Sequence, residues 1–545
     1  MVSRSKIKTE IPLSILWWGI IAFLFICILL PLIFVFLTPT KADFIKLASS
    51  SIWKKASLNT LLEVFASTFS SVLIGYIYAY AVVKGQIPFK RFFSFIPFLH
   101  LLTPPFVGGL AFILLLGRQG FITKTILGLD ISLYGFWGLL IAQTLCFFPM
   151  AYMICFQTLQ NINQGTEDAA KSLGAGRVKT FFKVTLPLSF PGIISSALYI
   201  AVSVMSDFGN PMIVAGRYKV LAVEIYTQLT GWVNGGTSAI LGIILVIPSL
   251  LLFFLQSKYL STSMTKIALV GSRSASSSSD SLSKNDSWKS RRLSKFLLTL
   301  FTSFISLCVL AQFASLIAGT FQKLWGIDHT FTLAHIKTIG RCKSELFNSL
   351  RFSLEGAILS TFIASLAAFF VFRTKYPLKK YIDSLIQLPA AVPGSLFGLA
   401  ISLFASKINF HHSNVLIVIA ITIGFIPFSY RAISSAYSQI KTTIDDGAQA
   451  LGASKILTYF YILLPLSKEG IFNSFIYDFV RGVGTMSAVI FLVSFGTPLS
   501  SIKILNLAEQ GFWGDAAALA MVLTLITFAV LLLGKLIIKL WGQKK

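Results

Sequence analysis

The sequence predicts an all-α polytopic membrane protein, with twelve transmembrane helices in two parallel six-helix repeats. Three observations predict it: an apolar composition, twelve apolar runs of spanning length, and a long internal self-similarity. Of 545 residues, 55% are hydrophobic and only 12% are charged, and the mean hydropathy is +0.79. A water-soluble chain of this length exposes far more charge, so lipid is the expected solvent for most of it. The net charge of +26 would suit nucleic acid in a soluble protein. Here the basic residues sit in short segments between apolar runs, so they report topology and exclude a nucleic-acid partner. The five cysteines include no C-x-x-C pair and lie mostly in or beside apolar runs, so they read as packing residues.

A spanning helix needs about 20 mostly apolar residues, because its backbone must be satisfied internally across the hydrocarbon. The runs near 12–37, 58–83, 92–116, 133–156, 188–208 and 237–256 make six such segments in the first half. Those near 296–318, 348–372, 382–405, 413–430, 469–495 and 514–538 make six in the second. The first run is too long for the core of a signal peptide and reads as a retained anchor. With the N-terminus placed inside, the inner segments carry 28 Lys and Arg against 14 in the outer loops. That bias predicts both termini in the cytoplasm, although Lys54 and Lys55 run against it.

The domains expected are a first repeat over 1–256, a Ser-rich cytoplasmic linker over 257–295, and a second repeat over 296–545. Residues 272–292 are too polar to bury a core and read as a flexible tether.

Self-similarity is the most informative feature. Residues 168–193 match residues 446–471 at 13 of 26 positions with an offset of 278. Earlier in each half the offset is 289, pairing Asn59 with Asn348, Pro104 with Pro393 and Gly109 with Gly398. The difference implies eleven extra residues in the first half, and the outer loop 117–132 is the natural place for them. Six spans per half keep both halves in the same orientation, which favours a translocation pathway between them.

The matched segment follows the fourth span of each half. Its pattern is acid-x-Ala-x-x-x-Gly, then nine residues, then aliphatic-x-Leu-Pro. Asp168, Ala170, Gly174, Val184, Leu186 and Pro187 fill the first copy; Asp446, Ala448, Gly452, Ile462, Leu464 and Pro465 fill the second. Residues 162–173 and 440–451 are expected to form short helices with small residues on one face. Gly174 and Gly452 are suited to the left-handed conformation that ends a helix. Pro187 and Pro465 mark the start of the next span. The product is a helix–turn–helix shaped for docking into a partner's groove.

This pattern resembles the EAA loop of ABC importer permeases, with Asp in place of the usual Glu. The resemblance covers nearly the whole chain and implies the type I ABC importer permease fold. It also implies that the two loops hold coupling helices that sit in clefts of a cytoplasmic ATPase dimer, with a periplasmic binding protein delivering substrate. Three stretches look most like the fused ferric-iron permeases, LTPPFVGGLAFILLLGRQGFIT, SDFGNPMIVAG and GVGTMSAVIFLVSFGTPLSSIKILNLAEQGFWGDAAALA. Thiamine, phosphonate and polyamine permeases share much of this pattern and remain alternative substrate classes. A gradient-driven secondary transporter is the rival of a different class, but it does not need two docking loops.

No G-x-x-x-x-G-K-[ST] phosphate loop occurs, so ATP and magnesium are expected only in the partner ATPase. The chain itself is expected to be no enzyme and to carry no cofactor. No metal cluster is legible, and His411, His412, His100, His329 and His335 read as solvated side chains. Charges at membrane depth are costly and usually face protein or water. Glu63, Asp207, Glu355, Asp478 and Arg481 fall in or near spans. Asp207 and the pair Asp478 and Arg481 are pathway candidates, and the pair is spaced for mutual contact. Pro104, Pro105, Pro393 and Gly394 break spans at matching places, which also points to a pathway.

Overall fold

The structure is a computed structural model that describes residues 2–101, 104–130, 133–271 and 288–543. Residues 272–287, most of the expected tether, lie outside the described residues. The long helices are α1 (Leu13–Leu37), α2 (Ile52–Val83), α3 (Lys90–Leu101), α4 (Pro105–Leu116), α5 (Phe136–Gln160), α6 (Gln164–Ser172) and α7 (Leu186–Met205). They continue through α8 (Gly209–Val214), α9 (Gly235–Gly271) and α10 (Trp288–Phe321), then a hairpin of β1 (Gln322–Leu324) and β2 (Asp328–Phe331), and α11 (Ala334–Arg341). The second half adds α12 (Lys343–Arg373), α13 (Lys379–Gln387), α14 (Gly394–Lys407), α15 (Ser413–Gln439), α16 (Thr442–Ala450), α17 (Lys468–Val483), α18 (Ser500–Glu509) and α19 (Trp513–Gln543).

Among the described residues ten helices are long and apolar enough to cross a membrane, or eleven if the pair Lys379–Ala391 and Gly394–Lys407, bent by 109°, is one span. The eleventh expected run, 469–495, is helical only as far as Val483. The chain then turns at Gly484 and is received by the second half's own glycines. A Cβ on Gly394 would meet the Ser487 side chain, and one on Gly398 would meet the carbonyl of Ala488. From Gly484 to Gly496 the chain runs as turns instead of helix and lies against these two glycines. The apolar composition of 469–495 predicts a span, but only its first half is helical and the rest docks as a turn segment.

The chain divides into two compact units that do not follow its linear order. One comprises residues 55–220 and 247–331, and the other 1–54, 221–246 and 332–545. In the first unit, α7 and α8 pack on α5 and α4, and α10 lies against α3 and α4. Tyr78 on α2 donates to the Phe93 carbonyl and shares a 2.8 Å hydrogen bond with Ser306 of α10. Gly75 lets α2 approach α5, since a Cβ there would sit 2.5 Å from that of Ala151. In the second unit, α12, α15 and α17 form the centre, with α19 on α17 and α18. Helix α1 belongs here. Trp17, fully buried, lies 5.1 Å from the ring of Phe370 and 5.9 Å from that of Tyr376. The opening span of each half is thus packed in the unit that holds the other half's central helices.

The hairpin extends from α10 and belongs to the first unit. Trp325 donates to the Leu114 carbonyl at 2.9 Å. Hydrogen bonds from the Thr330 side chain and backbone, with Lys323 nearby, hold the Asp328 carboxyl down to about 2. Two histidines differ from the solvated reading. His100 is buried, and His335 on α11 reaches Asp515 of α19 at 2.7 Å. Thr338, three residues on, donates to the same oxygen at 3.0 Å. The spacing of His335 and Thr338 puts them on one helical face, and the partner lies 180 residues away in sequence, out of reach of a local reading.

Candidate functional site

The two matched segments fold alike. In the first, α6 ends at Gly174, whose φ is +83°. The Ala175 N–H donates to the Ala170 carbonyl at 3.0 Å and the Gly174 N–H to Lys171 at 2.9 Å. In the second, α16 ends at Gly452 with φ +90°. There Ala453 donates to Ala448 at 3.0 Å and Gly452 to Gln449 at 3.0 Å. This six-to-one and five-to-two pair of bonds is the Schellman cap, and it needs a residue at ease with positive φ. A short helix follows in each copy, Arg177–Thr180 and Lys455–Thr458, then a wider turn of five residues. Leu186 and Leu464 begin the next helical segments, with Pro187 and Pro465 in their first turns, where a missing N–H is harmless.

The motif acids themselves are not the anchors. Asp168 is half-exposed and pairs with Lys171 at 3.1 Å, while Asp446 is exposed. The preceding acids do the bracing, and sequence reasoning missed them. Buried Glu167 accepts from Lys84 at 3.1 Å and from Thr185 at 2.9 Å. Buried Asp445 accepts from Arg373 at 3.0 Å, and Arg373 also donates to the carbonyls of Tyr437 and Ile440. The signal was present, because Lys84 and Arg373 are related by the offset of 289 and Glu167 and Asp445 by that of 278.

Further bonds of the same kind run up the helix. Tyr80 packs on Phe181 at 5.0 Å, and its repeat mate Phe369 packs on Tyr459 at 4.9 Å. Tyr76 shares a hydrogen bond with Ser189 at 2.8 Å, and Ser365 with Tyr459 at 2.9 Å. Residues 76 and 80 lie along one face of α2, and Lys84 continues it one residue past the helix end; residues 365, 369 and 373 lie along one face of α12. Each elbow is therefore fastened by three successive turns to the second span of its half. The outer tip is apolar and open, with Leu173 88% and Leu451 92% exposed.

The helix breaks also correspond. Pro104 precedes α4 with φ −55°, ψ 139°, and Pro393 precedes α14 with φ −54°, ψ 135°. Pro105 and Gly394 are the first residues of those helices. A Cβ on Gly398 would strike backbone of Ala488, whereas one on Gly109 would come no nearer than 3.1 Å, to Asn210 Oδ1, with Asn210 Cα and Ile213 Cβ at 3.6 Å. Gly398→Ala is thus expected to cost about 1–3 kcal/mol through overpacking against rigid backbone, and Gly109→Ala distinctly less. Thermal unfolding of the two full-length variants side by side checks this, and equal losses would refute the contrast.

Asp207 is buried, accepting from Gln143 at 3.0 Å and from Asn210 at 2.9 Å. Asp478 is fully buried and accepts from Ser429 at 2.6 Å. Arg481 forms no ion pair with it among the described residues, so the hydroxyl on α15 takes the place of the expected guanidinium. Among the described residues no group of three or more His, Cys, Asp or Glu side chains is gathered for a metal.

The family model described as binding-protein-dependent transport system inner membrane component matches residues 71–266 and again residues 360–541. The ferric transport system permease protein FbpB of Actinobacillus pleuropneumoniae is 28% identical over 502 residues, covering 90% of this chain and 70% of the relative. The Fe(3+)-transport system permease protein FbpB 2 of Haemophilus influenzae is 25% identical over 480 residues, covering 86% and 87%. The molybdenum transport system permease protein ModB of Escherichia coli is 28% identical over 210 residues, covering 37% of this chain and 91% of the relative.

Proposed function

This chain belongs to the family of inner membrane components of binding-protein-dependent transport systems, and from that premise we propose that it is the permease subunit of an ABC importer for ferric iron. A binding protein outside delivers the ion, and a separate cytoplasmic ATPase dimer supplies the energy. The observation that carries the reading is the pair of elbows, each with an open apolar tip and each fastened along the second span of its half. An ATPase domain gripping an elbow at Leu173 or Leu451 moves α2 or α12 with it, since ion pair, rings and hydroxyls connect them without slack. The transport step is conformational. The chain has no phosphate loop and performs no covalent chemistry.

In this reading the repeats 1–256 and 296–545 are the working halves, joined by the cytoplasmic linker 257–295, and both termini face the cytoplasm. The breaks at Pro104–Pro105 and Pro393–Gly394 and the half-buried Arg481 are placed on the pathway, while Asp207 and Asp478 enter as interior acids beside their amide and hydroxyl partners. Iron is chosen over molybdate because the ferric relatives align along most of the chain and the molybdenum relative along one half.

The test is uptake into proteoliposomes that contain the permease, its ATPase and its binding protein. Ferric uptake that requires ATP supports the reading. Uptake of molybdate or thiamine in its place overturns the substrate, and uptake driven by an ion gradient without ATP overturns the class.

A further inference from the structure

The interior of the first unit holds a chain of polar side chains that the elbows do not use. We propose that it is a buried proton-binding site in which Glu63 is a carboxylic acid and Asp207 a carboxylate. Glu63 and Ser67 lie on α2, Gln143 on α5, Asp207 just after α7 and Asn210 on α8. Their exposures are 2%, 0%, 1%, 8% and 0%.

The direction of the hydrogen bonds locates the proton. Asp207 accepts from Asn210 Nδ2 at 2.9 Å and from the Asn210 backbone N–H at 3.3 Å. It also accepts from Gln143 Nε2 at 3.0 Å. Three donors converging on one carboxyl mark the ionised member. With its nitrogen committed to Asp207, Gln143 turns its Oε1 to Ser67, 3.0 Å away. Ser67 has one hydroxyl proton for two acceptor oxygens, and of these only the Glu63 carboxyl can bring a proton of its own, so both contacts are made when Ser67 donates to Gln143 Oε1. The 2.7 Å contact between Ser67 Oγ and Glu63 Oε1 then lacks a proton unless Glu63 supplies it.

A second observation agrees. Glu63 Oε2 is buried with no hydrogen-bond partner. As one half of a carboxylate it would be a severe desolvation penalty; as the carbonyl oxygen of an acid it is a modest one. The other titratable groups facing Glu63 are Asp207 and Tyr218. Tyr218 donates its proton to the Asn59 carbonyl at 2.9 Å, so it supplies none to Glu63. A metal or alkali cation fits poorly, because the oxygens bond directly to one another and the amide nitrogens of Gln143 and Asn210 point at Asp207.

The second repeat shows that packing alone does not require these groups. By the same offsets, Glu63, Ser67, Gln143, Asp207 and Asn210 correspond to Phe352, Gly356, Ile421, Thr485 and Ala488. None of these five equivalents is ionisable, and a Cβ on Gly356 would lie 2.5 Å from Ile421 Cγ2. Only the first half spends a buried acid pair on this contact. The inference does not depend on which substrate is carried.

The test is infrared difference spectroscopy of the full-length protein in lipid at neutral pH. Wild type minus Glu63→Gln is expected to show one protonated-carboxyl C=O band, and wild type minus Asp207→Asn none. The glutamine variant retains its fold because its amide N–H donates to Ser67 as the acid does, which an unchanged unfolding temperature verifies. Ser67→Ala carries the test independently: the band should move to higher frequency as the acid loses its acceptor. Loss of the band in Asp207→Asn alone reverses the assignment. Absence of the band in wild type, its appearance only when sodium and potassium are withdrawn, or an unmoved band in Ser67→Ala overturns the site.

Discussion

Arg373→Ala is expected to destabilise the second elbow by about 3–5 kcal/mol, the usual cost of stripping one partner from a buried pair. The Arg373 side chain is 4% exposed and that of Asp445 11%. Removal would leave the carboxylate and the carbonyls of Tyr437 and Ile440 without this donor at the end of α15. Amide hydrogen exchange across residues 440–452 should accelerate strongly, and ATP-dependent uptake should fail. Arg373→Lys should recover only part of the protection, because an ammonium lacks the fork that reaches carboxylate and carbonyls together. Lys84→Ala should be milder, since Thr185 still donates to Glu167. Unchanged exchange in Arg373→Ala would show that the elbow is held by packing instead.

Leu173→Asp combined with Leu451→Asp should leave the fold intact and eliminate coupled uptake. Both side chains are almost fully exposed, so each change is expected to move stability by no more than about 0.5 kcal/mol. Buried in a partner's cleft, an aspartate in place of leucine removes an anchor worth about 2 kcal/mol or more, roughly thirtyfold in affinity per elbow. Copurification of the ATPase with the double variant reads the effect, and undiminished capture with normal uptake would remove the elbows from the proposed function.

Much of this architecture was legible because membrane spans and repeats leave strong one-dimensional signals. The left-handed turns at Gly174 and Gly452 followed from the motif, and the matching helix starts after Pro104 and Pro393 followed from the offset. What escaped were contacts between distant segments. Nothing local distinguishes Glu167 from Asp168, and only the partner Lys84 on another helix decides which is buried. The run 469–495 misled for a related reason: apolar residues serve a lipid face and a buried turn equally well. The polar chain from Glu63 to Asn210 was visible only as isolated charges, since α2 and α5 must pack together before Ser67 meets Gln143.

The packing of α1 has a consequence for biosynthesis. Trp17 rests on Phe370, which follows it by 353 residues. At about 5–20 residues per second, the ribosome reaches that residue roughly 20–70 s after the tryptophan has been made. Helix α1 is therefore made long before the residues it packs on, and it must wait in lipid or in the insertion machinery as a lone, self-sufficient span. Its apolarity, the highest of the spans among the described residues at mean hydropathy 3.3, suits a segment that has to be stable in the bilayer before it has anything to pack against.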